Sequence, residues 1–340
     1  MFNILKSEKD IITTLRKNLP NSSYKNLVFF SSPLNSFITD PIFMSINMED
    51  KIVHRSYAAF EVTKIFKNKI YNLDKHIDRF YKSLETLNLK NHLYSKDEIR
   101  LILQRLAAIA RKIEPTSDID MRFYYSAGLG NFTLKVDNNL NTFYAIATKV
   151  DNSVRPIEGI NETLYNINEI RDKVATAKTT NYLCSSIIAC KAHEDGGYLG
   201  LISDKDGNIL EGVVSNIAFV LNDDTYSVPS FEKTLPGTTA IKCLEFCEKN
   251  LIPNNEISKI SREDVNIKDI MNGKVKEVMM VGGDFVVPIL KINGFEISKN
   301  PGKITRLCQD YMKSQRAEAE DELKEYDSIP NFDDLNNIKF

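Results

Sequence analysis

Cysteine is scarce: five residues in a chain of 340, an odd number at low density. That excludes a small disulfide-stapled scaffold and suits a reducing compartment. Charge of one sign is also lacking. Lys plus Arg number 44 against 46 Asp plus Glu, a formal net charge of -2, so electrostatics make no case for a nucleic-acid partner or an anionic membrane surface. No apolar run approaches the roughly 18–20 residues that a membrane helix needs. The opening stretch MFNILKSEKDIITTLRKNLP has no long apolar core of a secretory signal, and Glu8 and Asp10 run against an organelle presequence. No internal repeat is visible. A cytoplasmic protein is the expectation.

What is present is the material of a globular protein: 42% hydrophobic and 26% charged residues. Cys243 and Cys247 fall four apart on a predicted helix and share a face. With no further ligands nearby, they read as core rather than metal ligands.

Read along the chain, residues 1–35 form an N-terminal extension, with one short helix in IITTLRKNL and a loop in NSSYKN. A small α+β domain spans 36–152. In it FMSINMED reads as a strand, AAFEVTKIF and KIYNL as a hairpin, and DKHIDRFYKSLETLNL as a helix with Ile77, Phe80, Leu84 and Leu87 on one face. Ser95 and Glu98 form a capping box before IRLILQRLAAIARKI, and MRFYYSAG and TFYAIATKV close the domain as strands. A linker at 153–165 contains Pro156. The large domain, 166–315, has a helix in TTNYLCSSIIACKAHED ending at Gly196-Gly197. YLGLISD and NILEG pair across Asp206-Gly207. After them come NIAFVLN, TYSVPS, the helix GTTAIKCLEFCEKN, two late strands and the helix KITRLCQDYMKS. Residues 316–340 make a polar, acidic tail broken by Pro330.

Three features of the large domain carry chemistry. Lys178 sits where an extended run meets a helix. Glu211 follows the Asp-Gly hairpin turn. Gly237, Thr238 and Thr239 open a helix whose free N–H groups accept an anion. An amine, a buried acid and an anion-accepting helix start are what holding pyridoxal 5'-phosphate requires.

The order Lys-x-x-Asn-Tyr-Leu, then Asp204 to Asn216 (DKDGNILEGVVSN), then LPGTT resembles the class IV, fold type IV, pyridoxal-phosphate aminotransferases. The likeness runs from about Phe37 to about Met312. HRSYAAFE, RFYYSAGLGNF and KTTNYL look closest to the plant-type D-amino-acid aminotransferase and aminodeoxychorismate lyase group, and the chain is also similar to branched-chain aminotransferases. The resemblance implies an α+β fold of two domains with the cofactor in the cleft between them. It makes Lys178 the Schiff-base lysine and Glu211 the partner of the pyridine nitrogen. Arg79, in the family's His-x-x-Arg-x-x-x-Ser stretch, binds the phosphate with the Gly237-Thr238-Thr239 turn, although Thr238 and Ala240 depart from the family's usual isoleucine and arginine. Tyr182 bonds the ring oxygen.

On the substrate side the resemblance points to the backbone of Gly282 and Gly283, to Arg122 and Arg171 for a carboxylate, and to Phe60 as lining. For Arg122 and Arg171 a salt bridge is the competing reading, and for Phe60 the core. His54 and His76 orient loops. The implied activity moves an amino group from a D-amino or branched-chain amino acid to a 2-oxo acid, in a homodimer without nucleic-acid or membrane partners. A lyase releasing pyruvate and 4-aminobenzoate is one alternative, and a non-catalytic binding protein that kept the fold is another.

Overall fold

The computed structural model describes residues 4–89, 93–130, 132–150, 156–166 and 174–321, with side chains as far as 315. The chain divides into two compact units, Met1–Ser153 and Val154–Asp321. Arg171 lies outside the described residues, as does the acidic tail beyond 321.

The first unit runs α1 (Glu8–Asn18), β1 (Asn26–Ser31), β2 (Ser36–Ile38), α2 (Lys51–Arg55), β3 (Ala58–Phe66), β4 (Lys69–Ile70), α3 (Leu73–Thr86), α4 (Lys96–Ile113), β5 (Ile119–Ser126) and β6 (Thr142–Lys149). Its six strands form an antiparallel sheet in the order β2-β1-β6-β5-β3-β4. Strand alternation sets the faces. On β3, Ala59, Glu61, Thr63 and Ile65 are buried, while Phe60, Val62 and Lys64 are only partly so. The buried side packs with Ile77, Phe80, Leu84, Ile99, Leu103 and Leu106 of α3 and α4. Each such side chain contributes roughly 1.5–3 kcal/mol when fully buried.

The capping box forms as the sequence predicts. Ser95 Oγ accepts from Glu98 N, and Ser95 N donates to the Glu98 carboxylate. Two expectations are corrected. FMSINMED is not a strand: it runs as irregular chain and a turn between the 3-10 turn Pro41–Phe43 and α2, whose starts are capped by Asp40 and Asp50 accepting from Ile42 N and Ile52 N. Residues 26–31, read as loop and extension, form β1 inside the sheet.

The second unit runs β7 (Ile160–Glu162), β8 (Leu164–Asn166), α5 (Leu183–Glu194), β9 (Leu201–Ser203), β10 (Asn208–Gly212), β11 (Ser215–Leu221), β12 (Thr225–Ser227), α6 (Thr238–Phe246), β13 (Lys259–Ser261), β14 (Val265–Asn266), α7 (Ile267–Met271), β15 (Val275–Gly282), β16 (Phe285–Ile292), β17 (Phe295–Glu296) and α8 (Lys303–Asp321). Its backbone sheet is β17-β16-β15-β11-β10-β9-β8, with β7, β12, β13 and β14 added at the sides. Both faces are covered. On β11, Ala218 and Val220 belong to one core with α6 and α8, and Ile217 and Phe219 to another. Cys243, Cys247 and Cys308 are buried together in the first of these cores. Among the described residues no group of three or more His, Cys, Asp or Glu is arranged to hold a metal ion.

Candidate active site

Lys178 follows a turn in which Ala177 N donates to Val174 O. The helix after it starts later than the sequence predicts, at Leu183. Thr179 Oγ1 accepts from Asn181 N and Thr180 O from Tyr182 N, local bonds that compete with helix geometry. Tyr182 becomes the N-cap of α5. The four-residue spacing brings its phenol back to the amine, and Lys178 Nζ donates to Tyr182 OH over a long 3.5 Å. The α5 helix is apolar yet open to the surface: Leu183 is 69% and Ile187 59% exposed, and Ala192 is its one buried residue.

Glu211 is buried at the end of β10, paired across the sheet with Ile202 on β9 and Asn216 on β11. Its Oε2 accepts from Leu235 N at 3.4 Å. The carbonyl of the same Leu235 accepts from Asn216 Nδ2 at 2.8 Å. One residue of the 229–237 loop is therefore held on both sides, by the acid and by the amide facing it. Two residues on, Gly237 caps α6 without any side-chain hydrogen bond, so the first N–H groups of that helix meet no capping side chain. Thr239 is buried, and its Oγ1 accepts from Asp284 N at 3.1 Å. That bond ties the helix start to the tight turn between β15 and β16, where Gly283 and Asp284 both hold positive φ, 58° and 66°. Glycine suits that turn, but Asp284 must bear the same conformation.

The second unit thus joins Glu211, Gly237, Thr238, Thr239, Gly282 and Gly283 through short links, and pairs Lys178 with Tyr182. The residues fit pyridoxal phosphate on two observations: an uncapped helix start for an anion, and Ser215 Oγ, which is buried beside Gly212 with no hydrogen-bond partner among the described residues.

In the first unit Arg79 is held by Glu61, with Nε to Oε1 at 2.6 Å and Nη2 to Oε2 at 2.7 Å. His76 Nδ1 lies 2.8 Å from Glu61 Oε2. Burial pushes the Glu61 carboxyl up. The charge of Arg79 and hydrogen bonds from His76 and Arg79 outweigh it and bring the carboxyl down to about 2. Arg122 pairs with Asp120 two residues before it on β5, at 2.9 Å. Phe60 stacks on Tyr124 across the β3–β5 ladder, with centroids 5.8 Å apart. His54 Nε2 lies 3.1 Å from Glu49 O.

Sequence reasoning missed Glu61, Asn216 and Ser215. An acid on the inward phase of β3 was the available signal for Glu61. For Asn216 the signal was its place in the EGVVSN stretch, and for Ser215 there was none. The buried Asp50 was missed as well. It accepts from the hydroxyls of Ser126, Thr142 and Tyr144 and from Ile52 N.

The sequence model of the family described as "Amino-transferase class IV" matches residues 58–292. The D-amino-acid transaminase, chloroplastic, of Arabidopsis thaliana is 29% identical over 279 residues, covering 81% of this chain and 72% of that protein. The D-alanine aminotransferase of Bacillus licheniformis is 23% identical, covering 79% and 91%. Among solved structures, the branched-chain aminotransferase of Thermoproteus uzoniensis with norvaline has a TM-score of 0.73 at 17% identity, covering 88% of this chain and 97% of that one.

Proposed function

This chain belongs to the class IV aminotransferases, pyridoxal-phosphate enzymes that move an amino group from an amino acid to a 2-oxo acid, and we propose from that premise that Lys178 is its covalent anchor, Glu211 the partner of the ring nitrogen and Gly237–Thr239 the phosphate turn. The observation that carries the assignment is the single residue Leu235, gripped by the buried acid and by Asn216 two residues before an uncapped helix start.

When bound, pyridoxal phosphate supplies an aldehyde carbon and a ring that accepts electrons. Lys178 Nζ engages that carbon only as a free amine, and the Tyr182 hydroxyl beside it orients the lone pair. With the cofactor and an amino acid bound, Lys178 Nζ would be the base and acid that carries the substrate's α-proton. Glu211 would face the ring nitrogen and favour its protonated form. The first N–H groups and dipole of α6 hold the phosphate, and Thr239, whose oxygen already accepts from Asp284 N, has its own proton left to donate. The backbone of Gly282 and Gly283 would receive the substrate carboxylate, a role supported by the family pattern. Arg79, Tyr182, Phe60, Arg122 and Arg171 keep the roles the family pattern implies, supported by that pattern.

The amino donor is a D-amino acid. Support comes from the Arabidopsis thaliana D-amino-acid transaminase, whose likeness spans 81% of this chain. The working unit is a homodimer, supported by the exposed apolar residues Leu183 and Ile187 of α5. With five free cysteines, two of them exposed, it works in a reducing compartment. No helix among the described residues is long and apolar enough to cross a membrane.

The test is a visible spectrum of the purified protein loaded with the cofactor, titrated with D- and L-amino acids with and without a 2-oxo acid. Loss of the lysine-bound absorption with D-donors, and its return with the oxo acid, is the expected result. Response to L-donors alone would overturn the donor class, and pyruvate release without an acceptor would make the protein a lyase. Sedimentation at micromolar concentration checks the dimer.

A further inference from the structure

The glycine at 237 is not required by its own backbone. Its φ of -69° and ψ of 130° are open to any residue. What forbids a side chain there is one atom. A Cβ built on Gly237 would lie 1.9 Å from Asn216 Oδ1 and 3.2 Å from Asn216 Cγ, and the next neighbour, Ala240 Cβ, is at an ordinary 3.8 Å. Asn216 has little room to yield. It is 4% exposed, its backbone is paired with Glu211 on one side and Val281 on the other, and its Nδ2 is spent on Leu235 O at 2.8 Å.

We propose that Asn216 is a positioning residue: its amide fills the space that a side chain at 237 would take, and so sets the phosphate turn at a fixed distance from the acid at 211. The cofactor consequence rests on the function proposed above, but the packing does not. The path is continuous. Glu211 and Asn216 face each other across β10 and β11, each grips Leu235, and Asn216 alone reaches on to Gly237. The ring-nitrogen end and the phosphate end of the site are thereby built from one strand pair and one loop, and the amide is the spacer between them. A ligand with its ring nitrogen and phosphate a fixed length apart needs such a spacer. A ligand lacking the phosphate does not.

The test is a double-mutant cycle on the full chain with Asn216→Ala, Gly237→Ala and the two combined. Each protein is read in two ways: thermal unfolding without cofactor, and equilibrium binding of pyridoxal phosphate beside pyridoxal, which has no phosphate. Gly237→Ala forces a methyl group against the amide and is expected to lower the melting temperature and weaken pyridoxal phosphate roughly 30-fold. Asn216→Ala removes one buried hydrogen bond and the spacer. It should weaken pyridoxal phosphate about tenfold and pyridoxal by less than about threefold. In the double variant the collision has no partner, so it should be no worse than Asn216→Ala alone in either readout. Losses that multiply would overturn the proposal, as would an Asn216→Ala protein that weakens the two ligands equally. If the wild-type chain binds neither ligand, the assigned function falls, and the unfolding cycle still decides the packing: non-additive melting temperatures support it and additive ones sink it.

Discussion

In the first unit the buried Glu61 is met by side chains, the Arg79 guanidinium at 2.6 Å and the His76 imidazole at 2.8 Å. In the second unit three buried glutamates are met by main-chain N–H groups: Glu162 by Tyr198, Leu199 and Gly200, Glu211 by Leu235, and Glu277 by Ile304 and Thr305, with the Thr305 hydroxyl added. Glu61 and Glu162 titrate in opposite directions. Glu61 is brought down to about 2 by the charge of Arg79 and by hydrogen bonds from His76 and Arg79, in spite of burial. Glu162 is raised, because burial outweighs the amides of Gly200, Leu199 and Tyr198. A full countercharge overcomes desolvation, and several neutral dipoles here do not. The difference bears on function. Charges that neutralise each other make a rigid support. An acid met by main-chain amides can face a cation brought by a ligand, which is the role proposed for Glu211.

The strongest way to break this contrast is at the chemistry of the second unit. Lys178→Ala removes the covalent anchor and the proton carrier together, and should lower kcat by a factor on the order of 10⁴ or more in a transamination assay. A loss below tenfold would mean that the amine is not the reacting group, and the role proposed for Glu211 would then have no ligand to serve.

The next largest effect tests the first unit. Arg79→Met keeps most of the stem and removes the countercharge, leaving Glu61 buried with His76 alone. The expected loss is about 3–5 kcal/mol, read from the urea midpoint at unchanged slope. A loss under about 1 kcal/mol would show that Glu61 is not ionised in the fold, and the contrast would fail. The same pair sets a pH window. The folded value of Glu61 is about 2 against a usual 4.5. Its contribution is therefore complete above about pH 4.5 and disappears as the pH falls through about 2, an interval worth about 3 kcal/mol. In Glu61→Gln that part of the acid limb should flatten.

The contrast also explains what could be read from the sequence. Cation partners leave a pattern: Arg79 and His76 stand out in DKHIDRFYKS because helical spacing puts both on one face. The α3 and α4 helices, the β3–β4 hairpin and the capping box were legible for the same reason, since period and cap residues are local. The order of Lys178, Glu211 and Gly237 was legible because each sits at an element boundary. Main-chain partners leave no pattern. Nothing in YLG at 198–200 announces that three amides converge on Glu162, and nothing in TLPG announces that Leu235 is gripped from both sides. The β1 strand was hidden because NLVFFS is a short apolar run without alternation, buried at nearly every position. The late start of α5 was hidden because Thr179 accepts from Asn181 N, spending a main-chain donor that a helix would have used.

The smallest predicted effect sharpens the amide side of the comparison. Glu162 Oε2 accepts from Gly200 N at 2.8 Å, and both carboxylate oxygens accept from Leu199 N at 3.1–3.2 Å. In Glu162→Gln one oxygen remains an acceptor, and an NH₂ group faces the other amides, so about 1–3 kcal/mol should be lost near neutral pH. The pH behaviour carries the sign that separates the two units. Because the folded value of Glu162 is raised, the folded state binds the proton more tightly than the unfolded one, and ionisation costs stability. Lowering the pH through that folded value should therefore stabilise the wild-type second unit relative to Glu162→Gln, the reverse of what the first unit shows for Glu61. Urea unfolding of both proteins from pH 7 down to pH 4.5 measures it. A difference between them that grows in favour of the variant as the pH falls would mean that the amides do compensate for burial, and that the two units hold their acids alike.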